Sequence, residues 1–500
     1  MSLAKKIAYN TVVQVGGKIG STVLSLFSLA LITRHLGPKG FGEYTTILTF
    51  LGFFAVFADF GLTLVTVQLI SDPKRNEAKV LNNLFALRLI SILAFLSLAP
   101  LIAIFLPYSS SVKWGLLITL IAFVFPALNQ VIIALFQKKL CMEKNAIAEI
   151  VGKLVLLASV LLTEKFNLGL NGILLATGLG ACSSFVLHYL FSLKFAFIKL
   201  EWDFSLWKEI VIRFWPLAIT VILNLIYLRA DTLILSFFKT AEEVGFYGAP
   251  YKIIDVFTSI PFMFAGLILP ILATSYLEKN WQNFKKVLQK SLDFMIIAVV
   301  PIVIGTIFIS KETILIIAGS EFTPSVLVLQ ILIFSLLAIF PGTIFTHAVI
   351  AIDKQRKMIP FYLFTSLSAL VAYLILIPRF SYYGAAFITI YSEFLITFFA
   401  AYCIFKYTEF KFSSKKAFLS VLSGLIMAIF IFFFRKILFI ESNFISLLGL
   451  IRLGVLIVLS IIVYFFSLFL LGGIKKEDLL TITKKQKDSG GQAFGSGTGI

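Results

Sequence analysis

The chain has 500 residues, of which 59% are hydrophobic and 14% charged, with a formal net charge of +18. Soluble domains carry roughly 25% charged residues, so this composition excludes an ordinary soluble fold. The surplus of Lys and Arg lies in short loops beside apolar runs and near the C-terminus, which is a topology signal and not the basic face of a nucleic-acid binder.

Apolar runs of the length needed to cross a hydrocarbon core begin at residue 12 and continue to 471. They fall at 12–32, 44–70, 84–106, 114–136, 146–163, 171–193, 214–238, 249–276, 291–309, 325–352, 360–377, 384–405, 418–434 and 446–471. The expected fold class is therefore an all-α polytopic membrane protein with about fourteen transmembrane helices. A β-barrel needs short alternating segments and is excluded. Lys5 and Lys6 before the first run resemble the start of a signal peptide, but the run is too long and no small-residue cleavage site follows, so it is expected to stay as the first span. Counting Lys and Arg in alternate loops gives roughly 27 on the side of both termini and about 9 on the other, which places both termini in the cytoplasm.

On the first span Gln14, Lys18, Thr22 and Ser25 recur at helical spacing and form a polar stripe, with Gly16 and Gly20 as a GxxxG close-approach motif. Such a stripe faces a cavity, although Lys18 is also near enough to the cytoplasmic end to snorkel. Asp59 in the second span is too deep to reach water and has two readings, an ion or proton site or a pair with a neighbouring helix; Glu393 in the twelfth span has the same two. The segment 201–213, with Trp202, Phe204 and Trp207 among charges, reads as an interfacial helix leading into the seventh span.

The seventh span carries a second polar stripe, Thr220, Asn224, Tyr227 and Asp231, while Arg229 points another way because residues two apart do not share a helix face. Counting depth from the turn pairs Arg229 with Asp255 and Asp231 with Lys252 across the hairpin. These charges either clamp the hairpin or touch a substrate. Glu149 and Lys153, an i, i+4 pair, and Arg88, His188 and His347, near span ends, read as structural.

Two sequence echoes divide the chain. LGPKGFGEY around Gly42 matches EEVGFYGAPY around Gly245, and Asn171-Gly172 matches Tyr383-Gly384, at offsets of roughly 200 to 210 residues. Two parallel six-helix lobes at 1–200 and 201–410 follow, with a substrate cavity between them. Two further helices lie at 411–472, and 473–500 is a cytoplasmic, largely disordered Gly/Ser-rich tail.

Several chemistries have no residues to carry them. Gly16-Gly17-Lys18 lacks the phosphate-loop spacing, there is no HExxH or nucleophile elbow, and no loop is large enough for a soluble active site. Cys141, Cys182 and Cys403 have neither disulfide nor metal spacing. The chain is therefore expected not to be an enzyme and to hold no metal or cofactor, apart from a coupling ion, Na+ or H+.

The segments RHLGPKGFGEY (34–44), ADFGL (58–62), RADTLIL followed by EVGFYGAPYKI (229–253) and GSEF (319–322) together resemble the bacterial polysaccharide flippase family, the Wzx-type transporters of the multidrug, oligosaccharidyl-lipid and polysaccharide exporter superfamily. The resemblance implies a V-shaped cavity between the lobes and alternating access in a bacterial cytoplasmic (inner) membrane. The cargo it implies is a polyprenyl-diphosphate-linked oligosaccharide flipped from the cytoplasmic to the outer leaflet for cell-surface polysaccharide biosynthesis. A diphosphate wants cations, for which Lys18, Arg229, Lys252 and Arg88 are the candidates, with Arg229 and Lys252 first. Gln14, Asn224, Tyr227, Tyr247 and Tyr251 are the glycan-facing candidates, and Asp59, Asp231, Asp255 and Glu393 those for ion coupling or ion pairing. Expected partners are the lipid-linked glycan, membrane lipids and glycosyltransferases or a polysaccharide polymerase, with no nucleic acid. The alternatives are an ion-coupled antiporter exporting amphipathic cations or drugs and a non-transporting glycan-assembly protein. The first wants unpaired carboxylates dominant in its cavity, and the second a sizeable outer loop.

Overall fold

The structure is a computed structural model that describes residues 3–59, 61–72, 74–438 and 447–474, and these form α-helices, short 3-10 turns and connections without a strand. The helices are α1 (Leu3–Asp59), α2 (Leu62–Ser71), α3 (Glu77–Ile104), α4 (Ser110–Lys139), α5 (Met142–Lys165), α6 (Gly169–Ser192) and α7 (Phe204–Phe238). They continue with α8 (Ala241–Leu277), α9 (Trp281–Ile317), α10 (Ser325–Leu332), α11 (Leu336–Ala351), α12 (Gln355–Thr408), α13 (Lys415–Leu438) and α14 (Leu447–Leu470). Most of the Gly/Ser-rich tail lies outside the described residues.

Among the described residues eleven helices are long and apolar enough to cross a membrane, and up to twelve if α7, bent by 49°, is one span. Two of them join two expected spans each, although the second expected span, 44–70, breaks at Gly61 (φ 73°) and ends in α2. At 1.5 Å per residue α1 would extend about 85 Å, far more than a bilayer core. It breaks at Gly37 (φ 61°, ψ 179°), a left-handed conformation that glycine adopts without penalty, and Pro38 opens the second limb. The 54-residue α12 breaks in the same way at Ser381 (φ 50°), where the Ser381 hydroxyl donates to Glu243 Oε1 at 2.6 Å. The expected tenth span is split into α10 and α11 by a 3-10 turn at Ile333–Ser335. The segment 201–213 is no separate helix; from Phe204 it is the first part of α7.

Helix starts carry the side chains that satisfy free backbone donors. Asn76, Ser109 and Asp203 accept from the first turns of α3, α4 and α7, and Thr240 with Glu243 closes a capping box at α8. Within the first six helices α5 packs on α6 and α1, and α4 on α6; in the following six α12 packs on α7 and α11, and α11 on α8; α13 rests on α9 and α14. The close-approach glycine on the first limb of α1 is Gly17, whose added Cβ would lie 2.4 Å from Ala146 Cβ, whereas the GxxxG pair meets nothing at Gly16 and only ordinary contact at Gly20.

The two groups meet chiefly where α1 crosses α8. There the glycines of the sequence echo face each other: a Cβ on Gly42 would sit 1.6 Å from Ala241 O, and one on Gly245 would sit 2.1 Å from Pro38 O. Backbone packs on backbone at this crossing, and no larger residue fits without parting the helices.

Candidate functional site: a cationic cavity within the membrane helices

A cavity of about 610 Å3 opens between α1, α4, α5, α6 and α8. Its charged lining consists of Lys18 from α1, Glu149 and Lys153 from α5, and Lys252 and Asp255 from α8, with His188 of α6 beside them. Asn129, Gln130, Thr177 and Ser184 supply uncharged polar groups. Lys153 and Lys252 each lie about eleven residues, or about 16 Å, from the nearer end of their helices, well inside the apolar spans. Lys18, Lys153 and Lys252 all line this cavity, so the three ammonium groups share one space. Among the described residues Lys18 and Lys153 make no ion pair, and Lys252 stands 4.0 Å from Asp255 Oδ2.

Of the expected cations, Lys18 and Lys252 line the cavity. Arg229 does not line it. Its guanidinium bonds Asp255 at 3.1 and 3.3 Å, as the hairpin count predicts, and lies over the Tyr251 ring at 5.0 Å. It stands one layer behind the cavity and orients Asp255, which does line it. Arg88 is also displaced from the expected role. It is 5% exposed, ion-paired with Asp59 and donating to Ala127 O at 3.2 Å and to Asp59 O at 3.2 Å. The carboxylate at 59 therefore takes its pair reading, because two buried charges on facing helices stabilise each other more than either can be stabilised alone in hydrocarbon.

The expected Asp231–Lys252 pair is not formed. Asp231 is fully buried and accepts from Tyr247 Oη at 2.6 Å, from the Thr232 backbone N–H at 2.5 Å and from Thr389 Oγ1 at 3.3 Å. Lys252 lies five residues on from Tyr247, about 140° round α8, so Asp231 meets the tyrosine and not the ammonium. This also removes the expected glycan-facing wall: Tyr227, Tyr247 and Tyr251 are 6, 0 and 9% exposed and belong to the core. Neither Asn224, whose Oδ1 is buried, nor the exposed Gln14 lines the cavity. Glu393 is 7% exposed within α12, away from the cavity, and has no ion pair among the described residues.

Sequence reasoning missed Lys153, Glu149 and His188. The expected Glu149–Lys153 pair is absent; Glu149 Oε1 instead accepts from Asn145 Nδ2 at 3.3 Å, and Asn145 Oδ1 lies 3.0 Å from His188 Nε2. The i, i+4 spacing shows that Glu149 and Lys153 share a face of α5, but not that this face looks into a cavity.

The sequence signature of the family described as "Polysaccharide biosynthesis protein" matches residues 3–276. The chain is 22% identical over 378 residues to the capsular polysaccharide biosynthesis protein CapF of Staphylococcus aureus, covering 75% of this chain and 93% of that one. Among solved structures it is similar to the lipid II flippase MurJ in an inward closed conformation, with TM-score 0.73 and 16% identity over 94% of this chain and 100% of that one. It is also similar to an inward-facing multidrug resistance MATE family transporter of the MOP superfamily, with TM-score 0.65 and 12% identity over 79% of this chain and 98% of that one. This chain is a multi-pass membrane protein with the MurJ and MATE fold, and it belongs to the polysaccharide biosynthesis protein family.

Proposed function

We propose that the protein is a secondary transporter that flips a polyprenyl-diphosphate-linked oligosaccharide from the cytoplasmic to the outer leaflet by alternating access. It would do so in the bacterial cytoplasmic membrane, with both termini on the inner side. The observation that carries this reading is the cavity itself, where Lys18, Lys153 and Lys252 converge from α1, α5 and α8 at membrane depth. Three ammonium groups in one low-dielectric space are tolerated only beside a compensating anion, and a diphosphate is such an anion. Glu149 and Asp255 offset them in part, but each already has a partner in Asn145 or in Arg229. The family membership and the flippase named among its structural neighbours point the same way.

On this reading the six-helix halves, 1–200 and 201–410, rock about the α1–α8 crossing, and the helices of 411–472 stand outside that motion. Glycosyltransferases or a polymerase supply and consume the cargo, and Glu393 is a candidate for coupling to Na+ or H+. An antiporter of amphipathic cations suits this cavity less well, because its ammonium groups outnumber its carboxylates and both carboxylates are engaged.

The test is flipping of a sugar-labelled polyprenyl-diphosphate oligosaccharide in proteoliposomes. Each of Lys18→Ala, Lys153→Ala and Lys252→Ala is expected to lower the rate by about tenfold or more, since a charge-assisted hydrogen bond contributes about 1.5–3 kcal/mol. The triple variant should be inactive while folded. A triple variant that flips at the parental rate would overturn the proposal.

A further inference from the structure

One cluster in the cavity wall is not explained by holding cargo. His188 is 1% exposed, and its Nδ1 lies 2.8 Å from the backbone oxygen of Ser184, which can only accept, so Nδ1 carries a proton. Its Nε2 lies 3.0 Å from Asn145 Oδ1, and Asn145 Nδ2 donates to Glu149 Oε1 at 3.3 Å. With the amide in this sense both ring nitrogens donate, which is the imidazolium form of His188, and Glu149 accepts. If the Nε2 proton leaves, Asn145 must turn its Nδ2 to that nitrogen, and its oxygen then faces Glu149, which has to move away. The amide thus admits two arrangements, told apart by whether Nε2 of His188 carries a proton.

We infer that His188, Asn145 and Glu149 form a proton-binding site whose occupancy sets the charge presented by the cavity. With the proton bound, Glu149 is held by Asn145 and Lys153 is free of an ion pair. With the proton released to the cavity, Glu149 is freed toward Lys153, one turn along α5, and offsets its charge. Every neighbouring element leaves that exchange local. From α1 the facing charge is Lys18; from α4 the Phe136 ring stacks on the imidazole at 6.0 Å, with Asn129 and Gln130 beyond it; from α8 the charges are Lys252 and Asp255. On α5 itself Lys144 is turned to the Phe191 and Phe195 rings, and the α4 lysines 138 and 139 pair with Glu77. No other carboxylate among those cavity groups is placed to take the role of Glu149, because Asp255 is held by Arg229. The consequence for cargo rests on the transport reading: proton and anionic headgroup bind cooperatively, because the protonated site is the more positive one. The proton site itself does not depend on that reading.

Two measurements test it. In the 15N-histidine-labelled protein in nanodiscs, the signals of His188 are separated from those of the other two histidines with His35→Gln and His347→Gln variants. His188 is expected to pass from doubly to singly protonated between about pH 5 and 8, and Glu149→Gln should move that transition to lower pH. A His188 that stays singly protonated throughout, or a transition unmoved in Glu149→Gln, overturns the proton site. In the second measurement farnesyl diphosphate is titrated into the protein at pH 6, 7 and 8. Binding to the parent should strengthen with falling pH by up to about tenfold per unit more than binding to His188→Gln, the limit for one linked proton. Equal pH slopes in the two proteins overturn the cooperative link. Absence of binding to the parent at every pH counts against the transport reading instead, and the nuclear resonance result still decides the proton site.

Discussion

Arg88 and Asp59 show how a charge survives at membrane depth without touching cargo. Their side chains are 6 and 16% exposed, and the guanidinium also takes two backbone carbonyls, so the pair is nearly closed to water. Removing one partner leaves the other buried and unpaired, at a cost of about 3–5 kcal/mol, whereas replacing both by apolar groups leaves no stranded charge. Arg88→Met is therefore expected to lower thermal stability in detergent by that order, and Arg88→Met with Asp59→Leu to recover most of it. Equal melting of single and double variants would rule out the pair as the cause. The same residue-scale logic separates Arg229 from Lys252. Both occur in one short stretch, but the first is spent on Asp255 and Tyr251, and only the second faces the cavity.

At the scale of elements, the segment entering α7 is fastened to the start of α3. Asn82 Oδ1 accepts from the Lys199 backbone N–H at 3.0 Å, Asn83 Oδ1 accepts from that of Asp203 at 2.7 Å, and Asn82 Nδ2 donates to Glu201 at 2.8 Å. Lys79 pairs with Asp203 at 2.8 Å and Arg75 with Glu209 at 2.5 Å. Both asparagines are buried, so the connection into α7 is anchored on α3. The Lys79 ammonium, then the Leu206 N–H, holds the Asp203 carboxyl below its ordinary value. A depressed carboxylate stabilises above its unfolded pKa of about 3.9 and loses that contribution as pH falls through the lower folded value. Protection from hydrogen exchange across 199–209, relative to the intrinsic rate at each pH, should therefore persist to below about pH 4 and then fall, and Lys79→Ala should bring the fall to higher pH. An unchanged profile in that variant would separate the ion pair from the fastening.

For the whole molecule the decisive feature is the crossing of α1 and α8, where the two glycines of the sequence echo lie against each other's helix backbone. A methyl group at either position meets main-chain atoms that cannot rotate away. Gly42→Ala and Gly245→Ala are expected to wedge the crossing open and to lower flipping by about tenfold or more, the effect of roughly 1.4 kcal/mol or more of overpacking in one state. Cysteine labelling from the outer side, at positions such as Tyr44, should rise in the same variants. Labelling that stays at the parental level would show that the crossing does not close the cavity.

The sequence by itself determined the membrane class, the run of spans and the internal echo, because hydrocarbon length and helical period act on each segment independently of its neighbours. It also determined that Arg229 and Asp231 look different ways and that Arg229 reaches Asp255, since helical phase and depth are local quantities. Which face of a helix looks into the cavity was decided only by tertiary packing. Lys153 and Glu149 carry the same i, i+4 spacing as any solvated pair, and Tyr247 the same composition signal as a sugar-binding wall, until α5 is set beside α1 and α6, and α8 beside α7 and α12. Burial is a property of the neighbours a residue is given, so the three lysines became one site only when three separate helices brought them together.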